Sequence, residues 1–143
     1  MSLLNQRISL LLIWLTSFTA CIIMIFLLFY LGWIAGDTLK YALTRVSAIY
    51  SPFLGTMLLF FWTLNQSKQN LKATKTPFLL AVITSVIWNS ILISLLSSIW
   101  FGDLALKEAI DLASSITEVL NWIVSGAVGY YFAHSIMSNK NEI

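Results

Sequence analysis

The sequence predicts an all-α polytopic membrane protein. Its four transmembrane helices form two hairpins, with a short interfacial or extended helix before the fourth span. Three observations predict this. Four apolar runs, at 8–35, 46–64, 77–101 and 119–137, fill most of the 143 residues, and each is near or above the roughly 20 residues that cross a bilayer. Hydrophobic residues make up 59% of the chain and charged residues 10%, against about a quarter charged in a soluble domain. The charges also avoid the runs, falling in loops or at run edges. In hydrocarbon each backbone polar group must be paired within its own segment, which makes runs of this length helices. Barrel strands of about ten alternating residues are absent from the pattern, so residues 1–143 read as one transmembrane domain.

The first run follows Arg7. It exceeds the 7–15 residues of a signal-peptide core and no clean small-x-small cleavage site follows, so it reads as a retained, tilted helix. Cys21 lies in its middle without a partner and says nothing of redox compartment. Gly32 and Gly36 add a small-xxx-small pair at its end. Next, 38–47 is compatible with a helix and carries Lys40 and Arg45. In the second run Ser47, Ser51 and Gly55 recur every fourth residue, a spacing that lets helix backbones approach closely in lipid. Pro52 lacks an N–H, freeing a carbonyl and predicting a kink.

The loop after it carries Lys68, Lys72 and Lys75, one face if helical. These lysines fit either anionic headgroups and orientation or a docking strip for a soluble, acidic partner. Pro77 suits the first turn of the third helix. That helix is rich in neutral polar residues, with Ser90, Ser94 and Ser97 on one face and Asn89 and Ser85 nearby. They can hydrogen-bond to neighbouring helices or, in an oligomer, line a polar seam or narrow pore. Asp103 is placed to cap a helix from Leu104 to about Thr117, with Leu106, Ile110, Ala113 and Ile116 opposite Glu108, Asp111, Ser115 and Glu118. Such a segment lies in the outer interface or extends the fourth helix. The fourth run repeats the small-residue spacing at Ser125, Gly129 and Ala133, and His134 reads as interfacial.

Lysine and arginine set topology. With the N-terminus inside, Arg7, Lys68, Lys72, Lys75 and Lys140 fall inside, while Lys40, Arg45 and Lys107 fall outside. Both termini are therefore expected in the cytoplasm. The halves also resemble each other. Gly36-Asp37 follows the first run and Gly102-Asp103 the third, at an offset of 66 that drifts to 71 at Gly55 and Gly126. Internal duplication of the hairpin accounts for this, as does the common turn chemistry of any two hairpins.

The runs hold no paired acid and base and no His/Cys/carboxylate cluster for a metal, so no enzyme activity, cofactor or metal is expected. Basic residues are too few and scattered for nucleic acid. A coupled carrier would place an ionisable group at membrane depth, and the deepest polar groups read as neutral. The segments 51–61 (SPFLGTMLLFF) and 124–132 (VSGAVGYYF) resemble the closing helices of bacterial holin-like proteins and of membrane components of anti-phage defence systems. In size and layout the chain is similar to the four-span membrane subunit of the Kiwa system. The resemblance implies an inner-membrane homo-oligomer that works with a cytoplasmic effector. The expected function is a non-enzymatic component that senses membrane disturbance or recruits that effector. Its partners are then the lipid bilayer, further copies of the chain and a soluble protein. A membrane-permeabilising, holin-like protein and a small lipid or solute carrier are the alternatives.

Overall fold

The computed structural model describes residues 2–64, 75–102 and 104–140, and these fold into four helices with no strand among them. They are α1 (Leu3–Tyr30), α2 (Gly36–Leu64), α3 (Lys75–Ser97) and α4 (Leu106–Lys140), with a short 3-10 turn, Ser98–Phe101, after α3. Among the described residues three stretches are long and apolar enough to cross a membrane: Leu3–Tyr30, Gly36–Phe61 and Lys75–Phe101.

Local chemistry sets the ends. Ser2 caps α1, its hydroxyl accepting from the Asn5 N–H at 3.2 Å. At the other end Gly32 takes the left-handed conformation (φ 74°), its N–H bonding the Phe29 carbonyl while the Trp33 N–H bonds that of Leu28. These two bonds are the Schellman pattern that stops a helix at glycine. The first helix thus ends at Tyr30 rather than at 35. Gly32 lies in the turn and Gly36 opens α2, so the expected small-xxx-small pair does not share a helix face. Gly102 repeats the device (φ 78°) after the 3-10 turn. Pro77 occupies the first turn of α3.

Two helices are longer than expected. The stretch at 38–47 is the opening of α2, which therefore starts at Gly36 instead of 46 and runs on through Pro52. The amphipathic segment at 104–117 likewise merges into α4, a single helix of 35 residues. Asp103, expected to cap it, lies outside the described residues. Glu108 instead reaches back to the Ala105 N–H at 3.4 Å. The expected faces hold: Leu106, Ile110 and Ala113 are buried, while Glu108, Asp111, Ser115 and Glu118 are exposed.

Packing follows the buried spacing. In α2 the buried positions are 42, 46, 50, 53 and 57; in α3 they include 81, 85, 88, 92 and 96. Steps of four, with one of three in each helix, keep one stripe facing a near-parallel neighbour. Each helix packs beside two others, in the order α1–α2–α4–α3 and back to α1. Sequence neighbours α2 and α3 therefore sit on a diagonal, where they meet only through long side chains. The turns at Gly32 and Gly102 share one end of the bundle, the turn end, and Trp33 meets Trp100 there at 5.4 Å between rings.

The duplication reading gains a cleaner register. The two turn glycines are 70 positions apart, close to the offset at Gly55 and Gly126. At an offset of 71, buried positions coincide through the chain: Leu10 with Ala81, Cys21 with Leu92, Ile25 with Leu96, Ala42 with Ala113, Phe53 with Val124 and Met57 with Val128.

Candidate functional site

An aromatic cluster occupies the centre of the bundle, with one residue or more from each of α1, α2 and α3. Trp14 stacks on Phe53 at 4.2 Å, tilts against Trp88 at 4.8 Å and meets Tyr50 edge-on at 6.0 Å. Tyr50 and Phe53 touch Trp88 across the diagonal at 5.5 and 5.4 Å. Trp14, Trp88 and Tyr50 are all within 2% of full burial. Tryptophan and tyrosine rings buried inside a bundle need partners for their polar edges. Trp14 Nε1–H donates to the Ser85 hydroxyl at 3.0 Å, and the Tyr50 hydroxyl contacts Cys21 Sγ at 3.5 Å. Asn89 donates through its amide to the Ser85 carbonyl at 2.7 Å. Two buried atoms of this cluster find no partner among the described residues: Trp88 Nε1 and Asn89 Oδ1.

Beside this cluster a cavity of about 220 Å³ opens between α2 and α4. Arg45, Ala48 and Pro52 line it from α2, Thr117, Glu118 and Asn121 from α4, and Trp88 closes its inner wall. Arg45, Pro52, Glu118 and Asn121 are exposed, so the cavity opens on the side of the bundle. Pro52 shapes it chemically. Having no N–H, it leaves the Ala48 carbonyl without its helical donor, and the Ser51 hydroxyl donates to that oxygen instead, at 3.5 Å. Toward the turn end the rim is built on Tyr41. Its hydroxyl donates to Asp111, and both Arg45 and Lys107 lie over its ring, at 5.6 and 5.7 Å. The basic stretch at 38–47 and the acidic one at 104–117 thus meet through a tyrosine. At the opposite end Phe60 stacks on Phe132 at 4.4 Å, sealing α2 against α4.

Arg45 corrects one reading of the sequence. It lies inside the second candidate span, nine residues beyond Gly36, or about 14 Å along the helix. Charge does not stop at the run edge. The polar face expected on α3 also divides. Asn89 is buried in the core, Ser90 and Ser94 face outward, and Ser97 is half-buried with its hydroxyl on the Ile93 carbonyl at 2.7 Å. The buried hydroxyl that bridges helices is Ser85. Both small-residue strips face away from the bundle: Ser47, Ser51 and Gly55 on α2, and Ser125, Gly129 and Ala133 on α4, are all exposed. Lys75 is exposed at the start of α3, whereas Lys68 and Lys72 lie outside the described residues. His134 is half-buried, its ring edge-on to Tyr130 at 5.8 Å.

The cluster of Trp14, Tyr50, Phe53 and Trp88, and the cavity beside it, are the features that residue spacing did not indicate. Among the described residues no group of three His, Cys, Asp or Glu side chains is placed to hold a metal. Comparison with protein families, curated proteins and solved structures finds no match. Function therefore has to be argued from the bundle itself.

Proposed function

We propose that the chain is a four-span, non-enzymatic component of a bacterial inner membrane, with both termini in the cytoplasm, that acts as a homo-oligomer. In this reading α4 crosses the bilayer beside the three apolar spans. Its charged first turns, with Lys107, Glu108 and Asp111, stand at the outer surface. The role is to sense membrane disturbance or to recruit a soluble effector, as the resemblance to anti-phage membrane subunits implies. The few lysines on the cytoplasmic side would offer the docking strip.

One observation carries the assembly. The bundle closes on itself with large side chains and leaves both small-residue strips on its surface, where they suit close approach of a second copy. A Cβ built on Gly55 or Gly129 meets no atom within 4 Å in the protomer. Gly55→Leu and Gly129→Leu therefore leave the protomer's own packing intact and obstruct only a neighbour. Light scattering of the purified chain should give an oligomer for the wild type and a smaller species for one or both variants, with unchanged unfolding of the protomer. An unchanged oligomer in the double variant would remove the strips from assembly. Depolarisation of cells on expression of the chain alone would instead favour the permeabilising class.

A further inference from the structure

The cavity between α2 and α4 brings together groups that a membrane protein has no structural reason to combine. Arg45 from α2 and Glu118 from α4 both line this cavity, yet among the described residues neither makes an ion pair; Arg45 rests on the Tyr41 ring. A charge on the lipid-facing side of a span is costly and marks a functional site by default. Trp88, 2% exposed, closes the inner wall, and its Nε1 is shut off from the cavity. From α2 the Arg45 guanidinium is a donor that suits a phosphate. From α4 the Glu118 carboxylate is an acceptor that suits a primary ammonium. Its volume, 220 Å³, equals that of about seven liquid waters, room for a small zwitterion. Its mouth opens sideways, where a lipid would enter.

We propose that this cavity binds the headgroup of a phosphatidylethanolamine-type lipid, with the phosphate on Arg45 and the ammonium on Glu118. A choline headgroup has no N–H to give that carboxylate, and a glycerol headgroup has no cation for it. The proposal rests on α4 lying in the bilayer, as in the reading above. It does not require assembly.

The full chain, purified and delipidated in detergent, is incubated with equal amounts of phosphatidylethanolamine, phosphatidylcholine and phosphatidylglycerol, and retained lipid is read by native mass spectrometry. The wild type should retain the ethanolamine lipid about tenfold above the others, the worth of one charged hydrogen bond. Glu118→Gln should abolish that preference, and Arg45→Gln should weaken all three lipids, with Arg45→Lys recovering part of the loss. Both side chains are exposed, so circular dichroism should stay unchanged in all variants. Equal retention of the three lipids by the wild type, or a preference that survives Glu118→Gln, overturns the proposal. So does soluble O-phosphoethanolamine binding as tightly as the lipid, since the source would then be aqueous. A C-terminal topology reporter decides the α4 crossing separately, so the two readings fail independently.

Discussion

Replacing Trp14 by alanine tests whether the aromatic cluster is what holds the bundle together. The indole stacks or tilts against three rings, on Phe53, Trp88 and Tyr50, and each aromatic pair contributes about 0.5–1.5 kcal/mol beyond its area. Its N–H bond to Ser85 adds about 0.6–1.7 kcal/mol, the range found for interhelical bonds in membranes. Together these give a loss of roughly 2–6 kcal/mol, and the site is too tightly enclosed for its neighbours to refill the gap fully. Trp14→Phe keeps most of the stacking and loses the bond, so it should cost only about 1–2 kcal/mol. Ser85→Ala strands the indole N–H and should cost about as much as Trp14→Phe, while the double variant should cost little more than either. The assay is reversible unfolding from mild detergent into SDS, followed by circular dichroism. If Trp14→Ala cost under 1 kcal/mol, or matched Trp14→Phe, the cluster would not be what holds the bundle together.

The turn glycines should respond oppositely to the helical ones. At Gly32 and Gly102 an added Cβ meets nothing, but φ is positive, so alanine should destabilise by about 1–2 kcal/mol through backbone strain alone. Gly126→Ala, within a helix and with open space, should be neutral or stabilising by up to about 1 kcal/mol; SDS unfolding reads both. Cys21 is fully buried against Tyr50. Maleimide labelling followed by mass should therefore be much slower in mild detergent than in SDS, and Trp14→Ala should speed it. Equal labelling rates would mean that the core is open.

The helices were legible because lipid leaves backbone polar groups one solution, and residues 8–30 and 77–97 announce it by composition alone. Boundaries were harder where polarity and helix coincide. The stretch at 38–47 reads as compatible with a helix but separate from the second run because of Lys40 and Arg45, yet in the fold it belongs to the first part of α2, with Ala42 and Val46 buried. Gly32 and Gly36 share the spacing of a packing motif, and only the left-handed φ at Gly32 separates a stop from a contact. On α3, Asn89 and Ser90 are adjacent, so they point about 100° apart on a helix, and which of them faces inward depends on where α1 sits. The cavity was invisible for a similar reason. Arg45, Trp88 and Glu118 come from three helices, and nothing local in the chain ties one to another. One signal was available: an arginine within reach of an apolar run, with a glutamate at the start of another, is unusual enough to ask what they share.

The contacts between the halves also bear on biogenesis. Trp14 with Ser85, Tyr41 with Asp111, and Phe60 with Phe132 join positions 70 to 72 residues apart, so each half meets the other largely at matching levels. Such an arrangement needs no threading. Each half can close as a hairpin on its own left-handed glycine before the two meet side by side. Trp14 already meets Tyr50 and Phe53 within the first half, so the second, bringing Trp88 and Ser85, completes a centre that the first has begun.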